Sequence, residues 1–216
     1  MPLIKASPES AATQPDNNDL RRERLAGDNV DDRRNAARAL GRDPSSIGIL
    51  AGRLQLEKEP RVRDALFGSL IDTGGKEVAD LLAQFIRSED AGLRNGAIEA
   101  LKRLEGDAVV ALDLLIEDAN TDVRILAIEV TRAWPRDLAA DRLRRVFERE
   151  QHVNVCAAAV DVATEVGTKE LLIPLDNLRD RFPDEPFLVF AIDVACALIR
   201  GNGAGVSNAG FGTTVA

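Results

Sequence analysis

With 216 residues, 45% of them apolar but only 4% aromatic, the chain has aliphatic material for a substantial core and little of the aromatic content that β-sandwiches use. A formal net charge of −8 argues against a general nucleic-acid binder, because phosphate contacts need a basic footprint. One histidine and two separated cysteines cannot close a zinc site or build a disulfide scaffold.

In chain order, residues 1–19 are rich in Ser, Pro, Ala and Asn and read as a disordered tail. The opening MPLIKASPES lacks the apolar region of a secretory signal, and no run approaches the ~18 apolar residues of a membrane span. The expectation is a soluble, cytoplasmic protein with no membrane contact. DLRRERLAG (19–27) reads as a short helix that caps the first repeat unit.

From there the chain repeats itself. Units anchored at Arg34, Arg63, Arg94, Arg124, Cys156 and Val189 are spaced by 29, 31, 30, 32 and 33 residues. Each anchor opens an apolar helix rich in small residues, such as LRNGAIEALKRLEG from Leu93. A second apolar-periodic segment comes after each: Val78, Leu81, Leu82 and Phe85 in KEVADLLAQFIR fall at i, i+3, i+4 and i+7. Gly74-Gly75, Gly106-Asp107 and Gly167-Thr168 carry helix-end and helix-start chemistry between the two, with glycine expected at φ > 0. Pro174, five residues after Lys169, is expected to kink its helix. Helices that cannot bury their apolar faces alone must stack. The predicted fold is all-α, a right-handed α-solenoid of about five and a half helix–turn–helix repeats over 20–200, then a Gly-rich tail at 201–216.

RRNAARALGR (33–42) resembles HEAT-like repeats, especially the short phycobilisome-lyase type with its V-R-x-x-A-A-x-A-L-G stretch. The units from Val62, Leu93 and Val123 match more loosely, and Cys156 and Val189 depart by replacing the arginine. The resemblance implies an Asp/Arg ladder between units, with Arg34, Arg63, Arg94 and Arg124 facing junction residues Glu59, Asp90, Asp118 and Asn120. It also implies two kinds of function: adaptor or scaffold proteins, and lyase-type or assembly-factor subunits that handle a prosthetic group. A tetrapyrrole pocket wants aromatic walls, and seven Phe, one Trp and no Tyr offer few. Nucleic-acid handling, known for some HEAT-like base-excision enzymes, is opposed by the acidic balance.

No catalytic constellation stands out. His152 lies one helical turn from Cys156, but the cysteine sits on the apolar face of VCAAAVDVA, where free thiols act as small hydrophobes. No phosphate loop is present, and GNGAG (201–205) comes after no strand. No cofactor or metal is expected, and the reading is a non-enzymatic interaction module. Two surfaces are candidates for its protein partner. Arg142, Arg145 and Arg149 make a basic stripe suited to an acidic segment. The last helix, PFLVFAIDVACALIR, carries only Asp193 between Phe187 and Ile199, where a solenoid normally ends in a polar cap. Phe187 and Phe190 therefore await cover: a second copy or another protein docked there, or the tail folded back through Phe211 and Val215.

Overall fold

The computed structural model describes residues 17–202, all-α with no strand among them. The expectations for 1–16 and 203–216, including cover by Phe211 and Val215, lie outside the described residues. Numbered in chain order, α1 (Asn17–Ala26) precedes the repeats. The first helices of the units are α2 (Val30–Leu40), α4 (Pro60–Thr73), α6 (Ala91–Leu104), α8 (Thr121–Val130), α10 (Val153–Val166) and α12 (Pro186–Asn202). The second helices are α3 (Ile47–Leu56), α5 (Gly75–Phe85), α7 (Val109–Ile116), α9 (Arg136–Arg149) and α11 (Leu172–Arg181).

The starts of these helices are explained by their flanking residues. Asn29 caps α2 by accepting from the amides of Asp31 and Asp32, Asp90 caps α6 through Leu93, and Asn120 caps α8 through Asp122 and Val123. Pro60 and Pro186 occupy the first position of α4 and α12, where the missing N–H removes no bond.

The chain divides into two compact units after Asp72. In the first, α1 packs on α2 and touches α3, as a capping helix should. Leu25, Leu40, Leu50, Leu54, Leu66 and Leu70 are fully buried, and Ser69 Oγ donates to the Ala37 carbonyl at 2.9 Å to tie α4 to α2.

In the second unit the first helices stack in sequence, α6 on α8, α8 on α10 and α10 on α12. A second layer is built from α5 against α7 and α9 against α11. Between the layers, each second helix packs on the next first helix: α5 on α6, α7 on α8, α9 on α10, α11 on α12. This is α-solenoid packing, and each layer covers the apolar flank of the next. Val155, Cys156, Ala159, Val160 and Ala163 of α10 are fully buried at its centre. Trp134 is buried too, its indole N–H donating to the Leu101 carbonyl at 3.2 Å.

Three local expectations are corrected. Gly74 and Gly75 do take positive φ (66° and 85°), but at the next turn Glu105 takes it (39°) rather than Gly106. Gly167 has φ −60° and is needed for space instead: an added Cβ would lie 2.3 Å from the Ala163 carbonyl and 2.8 Å from Ile199 Cδ1. Pro174 kinks nothing. The segment changes from 3₁₀ (Lys169–Leu171) to α-helix at Leu172, which leaves Pro174 in the first turn, where its lost N–H has no partner to break.

Candidate interaction surfaces

The junctions between units share one geometry. In the first four repeats an arginine stands four residues after the residue that precedes the first helix, and a helical side chain leans back toward the N-terminus. It therefore reaches the carbonyl two residues before the cap. Arg63 Nε donates to the Glu57 carbonyl at 2.7 Å, Arg94 Nη1 to Ser88 at 2.8 Å and Arg124 Nη1 to Asp118 at 2.8 Å. In the first repeat the residue in this position is Arg33, not Arg34: its Nη1 donates to the carbonyls of Gly27 (3.1 Å) and Asp28 (2.7 Å). Arg34 turns to Asp31 on its own helix, 3.1 Å away. The adjacent arginines are alike in the sequence, but only Arg33 stands four residues after Asn29.

Two of these arginines also reach forward to the next junction. Arg33 forms a two-pronged pair with Glu57 (2.9 and 3.2 Å), and Arg124 does so with Glu150 (2.8 and 3.3 Å). Glu57 is buried, accepts from the amides of Lys58 and Glu59, and also pairs with Arg53 at 2.7 Å. Burial by itself would raise its pKa. The bonds from Arg33, the Glu59 amide and Arg53 overcome that and hold it at about 2. Glu150 is lowered for the same reasons: burial opposes, and Arg124 with the His152 amide prevails.

At the fifth repeat, where the arginine is lost, another residue substitutes. Cys156 occupies the ladder position and makes only a weak thiol contact to the Glu150 carbonyl at 3.7 Å. Arg181, from α11, takes that carbonyl at 2.6 Å and the Glu148 carbonyl at 3.1 Å. Burial pushes the Cys156 thiol up to about 11, so it stays protonated at neutral pH and is a poor nucleophile. Both cysteines are free and buried, and no cluster of His, Cys, Asp or Glu among the described residues could hold a metal ion.

The predicted basic stripe lines a groove of about 290 Å³ beside α7 and α9. Arg142 is buried, donates to Asp113 at 3.0 Å and lies over the Trp134 ring at 6.0 Å. Arg145 bridges Asp113 (3.2 Å) and Asp141 (3.0 Å). Arg149 projects into solvent, with Glu117 at 3.7 Å. Around the groove, Arg124, Arg142, Arg145 and Arg149 are matched by Asp113, Glu117, Asp118 and Glu150. Two of the three stripe arginines are thus engaged within the protein.

The end helix differs. Leu188, Ile192, Ala195, Cys196 and Ile199 of α12 are buried against its neighbours. On the opposite side Phe187 (90% exposed), Phe190 (70%), Val194 (38%) and Leu198 (45%) form a second apolar stripe at spacings of three, four and four residues. Isolated exposed apolar residues are ordinary, whereas contiguous exposed apolar patches are more often interaction surfaces.

The stretch from α1 into α6 fits a single family model. Residues 18–102 match HEAT repeats. Beyond the matched HEAT repeats, the junction at Asp118, Asn120 and Arg124 repeats that at Ser88, Asp90 and Arg94. No curated protein matches the chain in sequence. Among solved structures, human deoxyhypusine hydroxylase in complex with glycerol is similar at 16% identity and TM-score 0.43, over 85% of this chain and 84% of that one. A designed armadillo repeat protein in complex with the peptide (KR)4 is similar at 13% identity and TM-score 0.42, over 83% and 98%. The complex of CpcE and CpcF of phycocyanin lyase from Nostoc sp. is similar at 14% identity and TM-score 0.36, over 92% and 100%. No helix among the described residues is long and apolar enough to cross a membrane.

Proposed function

We propose that the chain is a non-enzymatic protein-interaction module, a cytoplasmic scaffold or adaptor that docks another protein on the outer face of α12. The observation that carries this reading is the stripe of Phe187, Phe190, Val194 and Leu198, exposed on α12, whereas among the described residues α5 to α11 cover one another's apolar flanks. The groove beside α9 is a secondary contact. Its charges are already paired, so an acidic segment of the partner would gain chiefly from Arg149.

The test compares affinity capture by the wild type and by Phe187→Glu/Phe190→Glu, then titrates each candidate partner in purified form. Both residues are exposed, so circular dichroism should report unchanged helix content. The reading expects direct binding by the wild type that weakens at least tenfold in the variant. Equal binding by both would refute a role for α12.

A further inference from the structure

The outer stripe of α12 has an internal symmetry that selects its occupant. Take Val194 as the midpoint. Phe190 and Leu198 then lie four residues to either side, about 6 Å along the axis in each direction. Phe187 and Gly201 lie seven residues to either side, and Ala191 and Ala197 lie three. Phe187, Phe190, Ala197, Leu198 and Gly201 are at least partly solvent-facing, and none carries charge. If a second α12 is laid antiparallel with its own Val194 opposite, each Phe190 meets the other copy's Leu198. Each bulky Phe187 meets Gly201, which has no side chain to clash. The alanines flank the contact and let the helices approach. A two-fold interface requires this kind of self-complementary patch.

We infer that α12 pairs antiparallel with α12 of a second copy of this chain, with Val194 on the dyad. This deepens the docking reading above and rests on it, with the partner now specified as the protein itself. At about 150–250 Å² of buried surface per aromatic side chain, the stripe supplies on the order of 450 Å² per copy. Two copies bury on the order of 900 Å², below the usual range of stable complexes. The dimer is therefore a weak, reversible one whose population depends on concentration. With phenylalanines in the contact the helices pack at about 10 Å, and Cα atoms at a radius of ~2.3 Å then bring the two Val194 Cα atoms to roughly 5 Å. That lies within the span of a disulfide.

The full-length chain is studied by sedimentation velocity from about 1 to 200 μM, together with Phe190→Glu, Val194→Cys and, as a control, Ile173→Cys on the exposed face of α11. The buried native thiols Cys156 and Cys196 do not compete. The inference expects a concentration-dependent dimer in the wild type and a monomer in Phe190→Glu. Mild oxidation should give a covalent dimer in Val194→Cys and none in Ile173→Cys. A wild type that stays monomeric throughout overturns it. So does a dimer that persists in Phe190→Glu, or one that Val194→Cys fails to cross-link. A monomer that dimerises only when Phe211→Glu is introduced assigns the stripe to residues 203–216 and overturns it equally. A monomer whose direct partner binding is still lost in Phe187→Glu/Phe190→Glu removes self-pairing alone and leaves the docking reading standing.

Discussion

Glu57→Gln isolates the charge at the best-defined junction. Gln keeps the shape and still accepts from the amides of Lys58 and Glu59, but it removes the carboxylate that Arg33 and Arg53 share. The native carboxyl lies at about 2, against 4.5 for the free group. At about 1.4 kcal/mol per pKa unit, the charged form contributes roughly 3 kcal/mol to folding. The downward shift sets the sign: the contribution is fully present above the unfolded value and is lost as pH falls from about 5 toward 2. By pH 3.5 about 1.4 kcal/mol of it has gone. Losing the carboxylate also strands Arg33 with a neutral partner, so the variant should be destabilised at pH 7 by about 3–5 kcal/mol. Urea denaturation of both proteins at pH 7 and pH 3.5 measures this. The wild-type advantage should be about 1.4 kcal/mol smaller at the lower pH. An advantage below about 1 kcal/mol at pH 7, or one that does not change with pH, would refute the account of the buried pair.

The ladder assignment predicts unequal effects from neighbouring residues. Arg33→Ala should cost about 3 kcal/mol, because it breaks a buried pair, and Arg34→Ala under about 1 kcal/mol; equal losses in urea melts would return the ladder to an unresolved register. Gly167→Ala should lose about 1–3 kcal/mol through the clash with the Ala163 carbonyl and Ile199, and a wild-type unfolding midpoint would show that the α10–α12 contact has room to spare.

Much of the architecture was legible in the chain because both of its signals are local. Helical periodicity marks each element, and residues such as Asn29, Asp90 and Asn120 mark helix starts through bonds that span two or three residues. Aligning those local patterns then gives the repeat spacing. The outer stripe of α12 was visible for a related reason: an end helix that is apolar nearly all round cannot hide every face in one stack. Arg33 was within reach of the same logic, since Asn29 precedes it as Asp90 precedes Arg94. A search for an aliphatic–Arg step does not measure that distance.

What only the tertiary structure decided depends on residues distant in sequence. Arg142 reads as part of a solvent-facing stripe until Asp113, 29 residues earlier, is brought against it and Trp134 lies beside it. Arg181 reads as one charge in a polar helix end, yet the fold sets it on the carbonyl that Cys156 reaches only weakly. Glu57 carries no mark in the sequence of its burial between Arg33 and Arg53. A side chain's partners across a stack depend on how far one helix has rotated and slid over the next. Packing of whole helix faces sets that register, and no short stretch of sequence contains it.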